Sequence, residues 1–105
     1  MKRVEGTNTE FLCKAQEVVT ITITEINTKF MVTCNLLNSE ITMIGKVVTV
    51  KVGNSTKSVT LTFAFNGNGG RYNLVLSGSN GGSFNRGVLQ PSDNLPEVRT
   101  YTFHV

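Results

Sequence analysis

What the chain lacks narrows its chemistry first. It has a single histidine, His104, and no legible Ser/His/acid arrangement, so no nucleophilic triad is written into it. It has two cysteines, Cys13 and Cys34, which with one distant histidine lack the paired ligand spacing of a zinc site. The acids Glu5, Glu10, Glu17, Glu25, Glu40, Asp93 and Glu97 are dispersed, and none forms the facing pair that a glycosidase uses. Glu17 and Glu25 are expected to point to solvent at opposite ends of one strand. Asp93 and Asn94, between Pro91 and Pro96, read as a rigid turn rather than a calcium loop. The glycine-rich stretches lack the Gly-Lys-Ser/Thr of a phosphate loop, and no helix follows them. The expectation is a chain with no metal, no cofactor and no enzymatic activity.

Charge is also scarce. Only 16% of residues are charged and the formal net charge is +3. Lys14, Lys29, Lys46, Lys51, Lys57, Arg71, Arg86 and Arg99 are scattered, whereas a nucleic-acid binder clusters such residues among exposed aromatics. No nucleic-acid partner is expected. No apolar run approaches the ~20 residues of a membrane helix. Met1-Lys2-Arg3 opens like a signal peptide, but Val4–Glu10 is polar where an apolar core should follow, so none is read.

What is present is alternation. Val19, Ile21 and Ile23 interleave with Thr20, Thr22 and Thr24, a period-two pattern of β-branched residues that fits a half-buried strand. It recurs in Glu10–Lys14, Glu17–Ile26, Lys29–Leu37, Ile41–Val52, Lys57–Asn66, Arg71–Ser77 and Val98–Val105, with a weaker short candidate in Ser83–Leu89. Gly45 marks a bulge or a break within Ile41–Val52. Turn-forming Gly, Asn and Ser punctuate these runs at the spacing of a sandwich. The predicted fold is all-β: one domain over residues 1–105, an antiparallel two-sheet β-sandwich of about seven or eight strands, with residues 1–9 as a flexible arm. Parity places Ile21, Ile23, Val32, Val50, Leu61, Phe63, Leu74, Leu76, Tyr101 and Phe103 in the core.

The Thr20–Thr24 run TITIT, the run VTLTFAF at Val59–Phe65, RYNLVLSG at Arg71–Gly78 and the closing VRTYTFHV at Val98–Val105 together resemble the small immunoglobulin-like and fibronectin-like domains of bacterial surface proteins. The resemblance is one of pattern over most of the chain. It has no tryptophan to match the buried one of antibody domains. It implies a non-catalytic binding, adhesion or scaffolding module of an extracellular or cell-envelope protein, with a protein or carbohydrate ligand. The alternative is a self-assembling, homo-oligomeric structural subunit, cytoplasmic or virion. A small hydrolase ranks last.

Two features carry site expectations. Cys13 and Cys34 share inward parity with their neighbours, so they form either a disulfide, if the protein is exported, or two buried thiols. The stretch Ser77–Gly87, SGSNGGSFNRG, holds an aromatic and a guanidinium in what reads as a flexible loop. Phe84, Asn85 and Arg86 are the predicted ligand-binding residues, with Asn68 and Arg71 as neighbours if the Asn66–Gly70 turn lies at the same end. The competing reading has Phe84 closing the end of the core. Threonine rows such as Thr60/Thr62 and Thr100/Thr102 would form hydroxyl-and-methyl arrays if their strands were adjacent.

Overall fold

A computed structural model describes residues 1–26, 28–35, 41–52, 58–66, 70–89 and 97–105. Asn68, the Asn54–Thr56 turn, Leu36 and the Pro91–Pro96 turn lie outside these residues. The described residues contain no helix. They form ten strands: β1 (Lys2–Arg3), β2 (Glu10–Leu12), β3 (Val18–Ile26), β4 (Lys29–Cys34), β5 (Ile41–Ile44), β6 (Val47–Lys51), β7 (Val59–Asn66), β8 (Arg71–Gly78), β9 (Ser83–Asn85) and β10 (Glu97–His104). Sheet A runs β1-β2-β10-β7-β4 and sheet B runs β5-β6-β3-β8-β9.

The count exceeds the expected seven or eight for local reasons. Ile41–Val52 breaks at Gly45 and Lys46, with Ile44 paired to Val47 across a two-residue loop. Gly45 has φ 59°, as the first central position of a type II′ hairpin turn requires. Ser83–Asn85 pairs with β8. Residues 1–9, expected as an arm, contribute β1, which pairs with β2 through Lys2–Leu12 and Arg3–Phe11. The sheets are not wholly antiparallel either, because β2 runs parallel to β10.

The sheets pack face to face through aromatic rings. Phe65 of β7 stacks on Tyr72 of β8 at 3.7 Å, and Phe11 of β2 meets Phe84 of β9 edge-on at 5.3 Å. Strand β2 therefore lies over β9, which puts β4 and β5 together on the opposite flank. The inward rows are Val19, Ile21 and Ile23 of β3, Val48 and Val50 of β6, and Leu61, Phe63 and Phe65 of β7, with Leu74 and Leu76 of β8 and Tyr101 and Phe103 of β10; all are buried. Val32 departs from the expected core set. It faces inward but is only half-buried, because β4 is an edge strand.

The two cysteines do not come together. Cys13 follows β2 and Cys34 ends β4, with β10 and β7 between those strands. Three inter-strand gaps of ~4.8 Å hold them at least ~14 Å apart, beyond the ~7 Å limit for bridging. Both are reduced thiols, Cys13 buried and Cys34 half-buried. Burial, with the Glu17 charge adding to it, pushes the Cys13 thiol up to about 11, so it stays protonated and inert near neutral pH. Strand order, and not the redox state of the surroundings, separates this pair.

Candidate functional site

The predicted loop residues divide between two sides of sheet B. Phe84 turns inward, half-buried, with its ring edge-on to both Phe11 at 5.3 Å and Tyr101 at 6.4 Å. Arg86 is also half-buried and lies close enough to Tyr101 to act on its phenol. Burial pushes that phenol up to about 12, and the Arg86 charge opposes the rise. Asn85 instead faces outward. Its Oδ1 accepts from Asn73 Nδ2 at 2.9 Å and from the Gly87 amide at 2.9 Å. The Gly87 N–H can only donate, so this arrangement fixes the orientation of both amides. Arg71 is exposed at the far end of β8, ~17 Å from the position opposite Phe84. The expected cluster of Phe84, Asn85, Arg86 and Arg71 is thus not one loop tip.

Sheet register assembles a different surface. Across the outer face of sheet B, Thr42 pairs with Thr49, Thr49 with Thr20, Thr20 with Ser77 and Ser77 with Ser83. This hydroxyl row crosses all five strands. The adjacent row is Ile44, Val47, Thr22, Val75 and Asn85. Neither row contains a charge. At the far end of the same face, Thr24, Glu25, Arg71, Tyr72, Asn73 and Val88 line a shallow cavity of about 180 Å³. Asn85 and Arg71 therefore share this face, joined through Asn73. Sheet A has a counterpart, with Thr33–Thr62–Thr100 beside Thr60–Thr102. The cross-strand hydroxyl pairs Thr60–Thr102 and Thr62–Thr100 lie at 3.4 and 3.5 Å.

The glycine-rich loop serves a different purpose from the flexibility expected of it. Glu17, expected in solvent, is 1% exposed. Its Oε2 takes the Met1 ammonium at 2.7 Å and the Asn80 amide at 3.3 Å, and its Oε1 takes the Lys14 amide at 2.9 Å. Burial disfavours this carboxylate, but the ammonium and the two amides outweigh that and hold its pKa below the usual range. The Met1 ammonium also donates to the Gly81 carbonyl at 2.8 Å. A Cβ on Gly78 would collide with Glu17 Oε2, and one on Gly82 with the Met1 carbonyl oxygen. Those two glycines permit a close approach, and the segment is tied down by Ser79 N–H to the Val18 carbonyl and Val18 N–H to Ser79 Oγ, both at 2.9 Å.

The turn that aims Glu17 contains a testable strain. Glu17 N–H donates to the Lys14 carbonyl at 3.1 Å, and Gln16 has φ 65°. This is the third position of a type II turn, where glycine is favoured because a Cβ destabilises left-handed backbone. Gln16→Gly is expected to raise the unfolding free energy by about 0.5–1 kcal/mol, read as a higher urea midpoint at unchanged slope. A lower midpoint would count against the turn.

Among the described residues, no group of three or more His, Cys, Asp or Glu side chains could hold a metal ion. No helix there is long and apolar enough to cross a membrane. All six phenylalanines and both tyrosines fall within the described residues, and every one is buried or half-buried. None stands on the outer face of sheet B among the described residues. Comparison with protein-family models, with curated proteins and with solved structures finds no match for the chain. The class that stands is an all-β fold in which the described residues form two packed five-stranded sheets.

Proposed function

We propose that this chain is a non-catalytic binding, adhesion or scaffolding module of an extracellular or cell-envelope protein, and that it makes contact through the outer face of sheet B. The observation that carries this reading is the uncharged hydroxyl row from Thr42 to Ser83 beside a second uncharged row that contains Ile44, Val47 and Val75. A flat array of hydroxyls and methyls costs little to desolvate compared with charges, and it offers a donor and acceptors at every step. The hydrogen-bonded Asn73–Asn85 pair adds polar groups held in fixed positions at one corner, and Arg71 adds an exposed cation beside them. With no aromatic side chain on this face and Phe84 on the inward side, a protein surface suits it better than a sugar ring stacked on Phe84. The immunoglobulin-like resemblance supports the setting.

The test is a screen of extracellular proteins and glycans, followed by variants against whatever binds. Ser77→Lys places an ammonium in the middle of the hydroxyl row and is expected to weaken binding by about tenfold or more, ~1.4 kcal/mol. Arg86→Ala, on the inward side, is expected to leave affinity unchanged. Affinity that ignores Ser77→Lys and falls with Arg86→Ala would return the site to the loop.

A second reading, self-assembly, is favoured by one specific observation. The β4/β5 flank leaves two strand edges with large exposed apolar side chains, Met31, Met43 and Ile44.

A further inference from the structure

The two flanks of the sandwich are built differently. One ends in β1 and β9, strands of two and three residues, with Lys2 and Arg3 on β1. Short strands and basic side chains are how proteins keep an edge from pairing with another chain. The opposite flank ends in β4, six residues, and β5, four residues, and Lys29 is their only charged residue. Among the described residues, each strand has a neighbour on one side only in its sheet, so the backbone N–H and C=O groups of Phe30 and Val32, which alternate with the residues bonded to β7, face the edge.

The core is also open on that flank. Phe30, Val32 and Cys34 pair in register with Phe65, Phe63 and Leu61, all fully buried, yet they are themselves half-buried. Met43 pairs with fully buried Val48 and is 56% exposed. On the outer side of the same edge, Met31 is 65% exposed. Inward-facing apolar side chains that remain open along one edge are what one further strand would cover.

We propose that β4 pairs antiparallel with β4 of a second copy of this chain, making sheet A continuous across a twofold axis perpendicular to it. The proposal rests on the self-assembly reading above and names its interface. A twofold axis of that kind brings a strand against itself, and strand parity restricts the register to pairings that keep inward residues inward. Centring on Met31 does this. Met31 then meets the partner's Met31 on the outer face, Phe30 meets the partner's Val32 on the inner face, and Lys29 falls opposite the partner's Thr33. No like charges face each other, and both half-open core residues gain an apolar neighbour. Met43 of β5, on the same flank, comes under the same cover.

Sedimentation velocity over a wide concentration range tests this with the wild-type chain and one variant, and cross-linking tests it with a second. The wild-type chain is expected to dimerise. Met31→Lys, which opposes two ammonium groups at the axis, is expected to weaken the dimer at least tenfold while the far-UV spectrum is unchanged, since Met31 is solvent-facing. In a Cys34→Ser background, Met31→Cys is expected to form an intermolecular disulfide with oxidised glutathione, because directly opposed antiparallel residues have Cα atoms ~4.5–5.5 Å apart, within disulfide range. A monomeric wild-type chain overturns both this interface and the self-assembly reading. A dimer that ignores Met31→Lys, or that fails to cross-link through the introduced thiol in that background, overturns the β4 pairing and leaves self-assembly through another surface.

Discussion

Phe63→Ala is expected to lower the unfolding free energy by about 3–5 kcal/mol. Phe63 is fully buried at the centre of β7, the strand flanked by β10 and β4 in sheet A. Its ring lies 6.0 Å from Tyr101 in an edge contact and 6.5 Å from Phe65 in a stacked one. Truncation removes a large apolar surface and leaves a cavity between ring systems on adjacent strands. These are held in register by the Phe63–Arg99 and Phe63–Val32 backbone pairs and cannot close in freely. For a domain of this size, whose whole stability is of order 5–15 kcal/mol, the loss removes a large share of it. Urea denaturation monitored by circular dichroism measures it. A loss under about 1 kcal/mol would mean that this strand turns its other face inward.

The second large effect is expected at Glu17. Leaving the donors of a part-buried network without their charged acceptor costs about 1–3 kcal/mol. Glu17→Ala strips the Met1 ammonium and the amides of Lys14 and Asn80 of their acceptor at once. The effect carries a pH signature. The folded-state pKa lies below the unfolded value of ~4.3. The carboxylate's contribution is therefore complete above that unfolded value and is lost as pH falls through the folded one. Urea midpoints of wild type and Glu17→Gln are expected to differ most near pH 7 and to converge toward pH 3. A gap that stays constant over that range would show that the charge of Glu17 contributes nothing.

Much of the sandwich is legible in the sequence because period-two alternation is a direct consequence of strand geometry. The inward rows on β3, β7, β8 and β10 follow from parity alone. Parity also holds the signal for Glu17, which shares it with Val19, Ile21 and Ile23. Its place at the end of a strand suggests solvent, whereas its inward parity marks a buried carboxylate in need of partners. Those partners are not readable in advance, because they come from Met1 and Asn80, far away along the chain. The same limit hides the hydroxyl row. Thr20 is visibly outward, but its alignment with Thr49 and Ser77 depends on β6 and β8 both flanking β3. The Cys13–Cys34 expectation fails at that level too. Both positions face the core, but β10 and β7 stand between their strands. Phe84 divides from Asn85 because β9 is a strand, and adjacent residues of a strand point to opposite faces.

The functional surface proposed for this chain is the outer face of sheet B and not the tip of the glycine-rich loop. A ¹⁵N–¹H NMR titration of the chain with the partner recovered from the extracellular screen tests that claim most directly. Amide shifts are expected to concentrate at Thr20, Thr22, Thr49, Ser77 and Asn85, spread across strands that only the sheet register brings together. Shifts confined to Ser79–Gly82, or to Thr62 and Thr100 on sheet A, would contradict it.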